Sequence, residues 1–526
     1  MNEQNGVASP DPTALPLFTA VPSATKPGRV RSQFSMHPAG TDSHVDHKAP
    51  QINGHPVGIN LLNGANGPAA RRRTADEHQG IDWALVATFR SQASDQLSDA
   101  IGGDRGRLDR AAQEELGRSI ILELLASEAA ENLSAGRDSW SLMEQDVLAE
   151  AVFDSLFGLG RLQPLVDDEE IENIEITGCD QVLLEYADGT LKPGPAVAET
   201  DEELIDFLVF LASRSEVSAR PFSEAQPRLH MRLDGGARLA ATAWVTPRPA
   251  VVIRRHRLRE VTLAELEGLG MLSEVAASFL RAAVRAKKSI VVAGPQGAGK
   301  TTLVRGLCAE LDPWERIGTF ETEYELHLHE LTEKHRRVVA WESRPGSGEV
   351  GLNGRQAGEI TLDDLLVDSF RFNLSRQIVG EVRGKEVNAM IKAMQSGAGS
   401  ISTTHAADAP GAIRKLITCA MEAGAHVTEA YATRAIAEHI DLVVQLQLET
   451  TPLGDGTARR SRWVSEIIAV SPGEREKGYA TTHVFRSSYG RSAVAGVLPD
   501  EYRALEKFGF DVRGYLAEGR LQDGVS

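Results

Sequence analysis

Hydrophobic positions divide this chain into four stretches, each with its own spacing. Residues 1–78 are rich in Pro, Gly, Asn, Ser and Ala and hold few apolar clusters. Such a segment cannot bury enough surface to offset its ordering entropy, so it is expected to be a disordered arm, ending near the basic triplet Arg71, Arg72, Arg73. In residues 79–160 apolar side chains recur at helical spacing: Ile121, Leu124 and Leu125, then Leu142, Val147 and Val152. Gly158 and Gly160 end that pattern. In residues 161–257 the period shortens to two, which predicts an α+β domain. Ile171, Ile174 and Ile176 run through Gly178-Cys179-Asp180 into Val182, Leu183 and Leu184, a hairpin. A helix is expected around Glu202 to Arg214. A second hairpin turns at Asp234-Gly235-Gly236, with Leu229, Met231 and Leu233 on one face and Arg228, His230 and Arg232 on the other. Alternation alone does not decide whether that polar face is merely solvated or carries function. The short strand Val251-Val252-Ile253 ends in Arg254-Arg255-His256-Arg257.

From residue 258 strands and helices alternate, the signature of a parallel α/β domain reaching to residue 526. Thr262 and Glu265 have the spacing of a capping box at its first helix. After about Gly456 the pattern predicts only short mixed elements, a C-terminal extension. The predicted fold class is α/β, preceded by the smaller α+β domain and the arm.

Length and composition fit this division. A chain of 526 residues suggests two or three domains, and 42% hydrophobic with 25% charged residues is a soluble globular balance. With 56 Lys and Arg against 74 Asp and Glu the formal charge is −18, which argues against sequence-independent binding of nucleic acid. Cys179, Cys308 and Cys419 show no metal-ligand spacing and read as reduced thiols. No basic-then-apolar signal peptide and no membrane-spanning run is visible, so the expectation is a cytoplasmic protein whose membrane role is peripheral.

The chemistry starts at the strand Ser289–Ala293, which runs into Gly294-Pro295-Gln296-Gly297-Ala298-Gly299-Lys300-Thr301. This fits G-x-x-x-x-G-K-[ST] at every position, with a helix predicted after it. Glycines let backbone N–H groups converge on phosphate oxygens, and the helix points its positive end at the same anion. Gly294, Gln296, Gly297, Ala298, Gly299, Lys300, Thr301 and Thr302 are the expected ATP-binding residues, with Lys300 on the β- and γ-phosphates and Thr301 on Mg²⁺. Three more strands end in polar residues: Thr319-Phe320 in Glu321, Ile378-Val379-Gly380 in Glu381, and Ser402-Thr403-Thr404 in His405. Ligands of a parallel sheet sit at the carboxyl ends of its strands, so Glu321 and Glu381 are both placed toward the γ-phosphate. One carboxylate would polarise the attacking water and the other would hold Mg²⁺; Glu321 is the expected metal-side group.

Four blocks in this order resemble the secretion-ATPase superfamily that powers type II and type IV secretion and type IV pili. They are the P-loop, Thr319–Leu326, Ile378–Gly384 and Ser402–Ala406, similar to that family's Walker A, Asp box, Walker B and His box. Gly158-Leu159-Gly160 with Pro164-Leu165, and Glu342-Ser343-Arg344-Pro345, look most like the CpaF-type branch that drives tight-adherence (Flp) pilus assembly. The resemblance covers roughly residues 145–510. It implies a RecA-like P-loop NTPase domain, ATP at the junction with the N-terminal domain, a homo-hexameric ring and an inner-membrane platform protein as partner. It also implies that Arg232, Arg238 and Arg254 send positive charge toward the phosphates, with Lys300, Glu321, Glu381 and His405 catalytic.

The chain departs from the family pattern twice. Thr322 stands where the Asp box usually has Asp, and Asn373-Leu374-Ser375 where the family usually has Arg-Pro-Asp. Two readings stay open: an ATP-hydrolysing motor, favoured by Glu381, and a nucleotide-binding assembly platform with little turnover, favoured by the departures.

Overall fold

The computed structural model describes residues 81–523, except 104–107, 215–221, 256–259, 345, 347–350, 352–354, 396, 398, 474–477 and 488–491. The chain divides into two units, Met1–Ala69 and Ala70–Ser526. The expected arm with Arg71–Arg73, and the basic residues His256 and Arg257, lie outside the described residues.

The helical stretch forms three helices, Trp83–Gly103, Arg110–Ser134 and Leu142–Phe157, around a core of their own that includes Ile121, Leu125 and Val152. Leu142, expected in that core, is 80% exposed. It is the first residue after the Ser141 cap, whose capping box with Glu144 starts the helix and leaves its first turn facing outward. Leu148, six residues further on, takes the inward position.

Six strands follow: β1 (Ile171–Thr177), β2 (Gln181–Tyr186), β3 (Thr190–Pro193), β4 (Arg228–Arg232), β5 (Arg238–Thr242) and β6 (Ala250–Arg254). All pair antiparallel in the order β4-β5-β6-β1-β2-β3. Both predicted hairpins are present, and the helix Asp201–Arg214 packs on one face of this N-terminal sheet. Alternation sorts the side chains as expected: Leu229 and Leu233 are buried beneath the sheet, while Arg228, His230 and Arg232 lie on the opposite, open face.

The second half holds β7 (Ile290–Ala293), β8 (Ile317–Glu321), β9 (Val338–Glu342), β10 (Arg376–Val379), β11 (Ser400–Thr404) and β12 (Leu442–Pro452). These pair parallel in the order β12-β7-β11-β10-β8-β9. This is the RecA-like α/β fold. Ile290 and Val292 pack into the core on one face of the sheet, Val291 and Ala293 into that on the other. Strands buried on both faces read as continuous apolar runs, which is why they were visible in the sequence.

The region after Gly456 differs from its expectation. Instead of short pieces, β13 (Ala458–Pro472) is the longest strand described and forms a long hairpin with β12. β14 (Tyr479–Arg486) and β15 (Val494–Ala495) complete the edge. The tip of β13 also pairs with β3, so the N-terminal and parallel sheets are continuous through two residue pairs, Ala458 with Leu191 and Arg459 with Thr190. Local alternation reports neither the length of such a hairpin nor its distant partner.

Gly189 sits at that junction with φ +82, where a Cβ would lie 2.2 Å from Arg460 O. Gly235 has nearly the same φ, +85, in open space. Gly235→Ala is expected to cost only the left-handed backbone penalty of about 1–2 kcal/mol. Gly189→Ala should lower the thermal midpoint well beyond that, because the added methyl meets backbone. Equal midpoints for the two variants would show that the junction is not tightly seated.

Candidate functional site

The strand order builds the site. β7 delivers the P-loop, and the next three strands of the sheet, β11, β10 and β8, end in Thr404-His405, Gly380-Glu381 and Glu321 on the same side. The helix Lys300–Cys308 starts directly from Gly299, which has φ +86. The ends of the strands are cross-linked. Thr403 Oγ1 donates to Gly380 O at 2.6 Å, Thr404 Oγ1 to Val382 O at 3.0 Å, and Val382 N to Thr403 O at 2.8 Å. These bonds fix the short segment that carries Glu381.

Lys300, 8% exposed, donates to Gly294 O at 3.2 Å and Pro295 O at 2.9 Å, and meets His405 Nδ1 at 3.2 Å. His405 Nε2 lies 2.7 Å from Glu381 Oε1. An ammonium can only donate, so Nδ1 accepts from Lys300 and the neutral ring carries its proton on Nε2, close to Glu381 Oε1 but not hydrogen-bonded to it. Burial, reinforced by the nearby Lys300 charge, pushes the His405 pKa down, which agrees with the neutral form. Burial also pulls Lys300 down to about 8, against the attraction of Glu381. Arg383 holds the other oxygen of Glu381 at 2.5 Å.

Glu321 is 2% exposed. Its Oε1 accepts from the backbone N–H of Glu325 and of Leu326, both at 2.9 Å, while Oε2 is buried with no hydrogen-bond partner. Burial raises its pKa to about 7 against the two amides that lower it. Thr301 Oγ1 meets Glu325 rather than Glu321, donating to Glu325 Oε2 at 2.9 Å. The other oxygen of Glu325 takes Arg238 Nη1 at 2.5 Å. Arg238 also donates to Tyr324 O at 2.5 Å and lies 3.2 Å from Glu323. Arg305, buried on the P-loop helix, donates to Glu325 O.

Of the arginines expected from the N-terminal sheet, Arg238 and Arg254 line the cleft over the P-loop. Arg254 has no ion-pair partner among the described residues and its charge lowers the pKa of Lys300, so it faces the loop with its charge unspent. Arg232 does not line the cleft; it pairs with Glu342 at 3.3 Å. Thr322 lines the cleft beside Glu321, whereas Asn373–Ser375 precede β10, at the opposite end from Glu381. There Ser375 Oγ accepts from Arg316 N at 2.8 Å, and its N–H donates to Arg316 O at 2.9 Å.

The cleft measures about 1330 Å³ and is lined by eight Arg with Lys300 against five Glu with Asp188. Nine cationic groups facing six anionic ones make a basic concavity in an acidic chain, suited to a polyanion. Glu325, Arg305, Arg383, Arg460 and Arg462 were not singled out as site residues in the sequence. Only the spacing of Glu325 behind Glu321 hinted at a role; the arginines come from elements whose approach is tertiary.

The sequence pattern described as "Type II/IV secretion system protein" matches residues 202–498, more than half of the chain. This chain belongs to that family. A protein named for conjugal transfer in Mycobacterium tuberculosis is 30% identical over 261 residues, which is 48% of this chain and 70% of that one. The type IV secretion system protein PtlH of Bordetella pertussis is 35% identical over 185 residues, 35% of this chain and 51% of PtlH. An uncharacterised protein of Methanocaldococcus jannaschii is 29% identical over 260 residues. The chain spans between 34% and 51% of the length of the first three curated relatives it matches. Among solved structures, the VirB11 ATPase of Brucella suis aligns at 25% identity and a TM-score of 0.30, covering 59% of this chain and 95% of that one. The ATPase DotB of Legionella pneumophila aligns at 18% identity and 0.41, covering 59% and 79%. The family match bears out the secretion-ATPase resemblance at the level of the superfamily.

The raised carboxyl of Glu321 has a measurable consequence. Between pH 4.5, the ordinary value, and about 7 the folded protein keeps a proton that the unfolded chain releases. Stability therefore falls as pH rises through that window and levels off above it. Glu321→Gln removes the dependence. Its thermal midpoint should equal wild type near pH 4.5 and exceed it near pH 8, by a stability gain of up to about 3 kcal/mol at 1.36 kcal/mol per pK unit. A midpoint no higher than wild type near pH 8 would show that the ionised carboxylate is compensated.

Proposed function

We propose that this protein is an ATPase that hydrolyses ATP to ADP and phosphate and drives pilus assembly or protein secretion as a homo-hexameric motor. The observation that carries the reading is the Lys300–His405–Glu381 chain at the ends of adjacent strands. The P-loop amides and Lys300 bind the phosphates, and Arg254 adds charge from the N-terminal sheet. Glu381 orients the water that attacks the γ-phosphorus and takes its proton; Arg383 holds that carboxylate in place, with His405 beside its other oxygen. The residues fit Mg²⁺: Thr301 and Glu325 with their oxygens side by side, and the unpartnered Oε2 of Glu321 behind them. They would hold the ion, directly or through water, and it would neutralise charge developing on the phosphates. Arg238 is committed to Glu323 and Glu325, so in this reading it acts on the metal-side carboxylates as well as on the ligand.

The family membership and the names of the relatives support secretion or pilus assembly. The narrower tight-adherence pilus branch rests on Gly158–Gly160, Pro164-Leu165 and Glu342–Pro345. No helix among the described residues is long and apolar enough to cross a membrane. From the family resemblance, we place the protein in the cytoplasm, at the inner face of the membrane against a platform protein, with no direct role for nucleic acid.

A second reading, a nucleotide-binding platform with little turnover, keeps one support. Thr322 leaves the cleft without the carboxylate that the family usually has there. The other departure, at Asn373–Ser375, is met by hydrogen bonds between the Ser375 backbone and hydroxyl and the Arg316 backbone, away from the P-loop.

Phosphate release by the purified protein at saturating Mg-ATP is expected to vanish in Lys300→Ala. In Glu381→Gln it should fall about 10²-fold or more, the scale of one positioned acid–base group, with ATP retained. Wild-type turnover in Glu381→Gln would assign hydrolysis elsewhere. Thr322→Asp should raise turnover if the missing carboxylate limits the rate; an equal or slower rate would show that Glu321, Glu325 and Glu381 suffice.

A further inference from the structure

Arg462 joins the two sheets at the P-loop. It stands on β13 where the long hairpin overhangs the loop, and its Nε–H donates to Gly297 O at 2.7 Å. Its Nη2 donates to Glu185 Oε1. Glu185 belongs to β2 of the N-terminal sheet and is 1% exposed. Its other oxygen accepts from Arg460 Nη1 at 2.5 Å and from Asn173 Nδ2 at 2.8 Å. A carboxylate so buried is tolerated only with a full set of charged donors, so withdrawing Arg462 from it is costly.

The peptide plane gives this link a direction. The C=O and N–H of one peptide unit point opposite ways. A donor that holds Gly297 O on the outside therefore aims the Ala298 N–H into the loop. That N–H faces Pro295 O at 3.4 Å, the carbonyl that also accepts from Lys300 Nζ.

We propose that Arg462 is a positioning residue that sets the phosphate-binding orientation of the Gly297–Ala298 peptide and, through Glu185, makes it depend on the seating of the N-terminal sheet. This rests on the reading of the loop as a nucleotide site and adds how that site is regulated. A sheet movement that withdraws Glu185 draws Arg462 away and releases the carbonyl. Nucleotide affinity and sheet seating are then linked, each biasing the other.

The test uses the full chain and fluorescent mant-ADP. Arg462→Gln and Glu185→Gln should each weaken binding roughly tenfold, the scale of one charge-assisted hydrogen bond, although Glu185 does not touch the loop. The double variant should bind about as well as either single one, because both break the same link. The Ala298 amide should exchange hydrogen faster in Glu185→Gln than in wild type. Wild-type affinity in Glu185→Gln, or a roughly hundredfold additive loss in the double variant, would overturn the proposal. If Glu185→Gln does not fold, Asn173→Ala removes a neutral donor from the same carboxylate; a loss of about twofold or more supports the link and an unchanged affinity overturns it. Lys300→Ala is the separate control: wild-type affinity there would refute the nucleotide site itself.

Discussion

On the proposed reading, a bare turn of backbone holds a polyanion inside a protein of net charge −18. That demand organises the rest of the structure. Convergent N–H groups require that no side chain stands between the loop and its ligand, and the loop in turn requires rigid support from behind. β7 supplies it: it is buried on both faces and flanked by β12 and β11. The positive charge that the chain lacks overall is gathered locally. Lys300, Arg238, Arg254, Arg305, Arg383, Arg460 and Arg462 converge from widely separated segments on one cleft.

Gathering cations in a semi-enclosed space has a cost, and the structure offsets it with carboxylates. Glu325 balances Arg238, Glu381 balances Arg383, and Glu185 balances Arg460 and Arg462. Glu321 is the exception. It is buried against two amides with one oxygen unpartnered, and its pKa stands near 7. A group kept at such a cost is characteristic of a working site rather than of a packing solution. The same balance explains why the departures from the family pattern are not equivalent. Thr322 removes charge at the cleft itself, whereas Ser375 changes a contact at the far end of β10.

The long hairpin of β12 and β13 turns two sheets into one mechanical body. It flanks the P-loop strand through β12, overhangs the loop through Arg462 and pairs with β3 at its tip. Any movement of the N-terminal sheet is therefore transmitted along backbone and through a buried ion cluster, both of which are stiff and directional.

Local chemistry alone determined much of this. Strand–loop–helix around Gly294–Thr301, the capping box at Thr262, both N-terminal hairpins and the polar ends of three strands were legible because each depends on neighbours within a few residues. So was the polar face of β4, although not its purpose. Tertiary structure decided the rest. Which carboxylate meets Thr301 depends on how the segment after β8 folds back, and two backbone N–H groups on Glu321 Oε1 turn Glu325, not Glu321, toward the hydroxyl. Which arginine faces the loop depends on where β6 and β4 fall in the sheet order; Arg254 faces it, while Arg232 is drawn to Glu342. Arg460 and Arg462 look like surface charges on a featureless strand until Glu185, some 275 residues earlier, is brought against them. Sequence fixes what a residue can donate or accept, but charges act over a few ångströms, and only the folded chain decides which groups come that close.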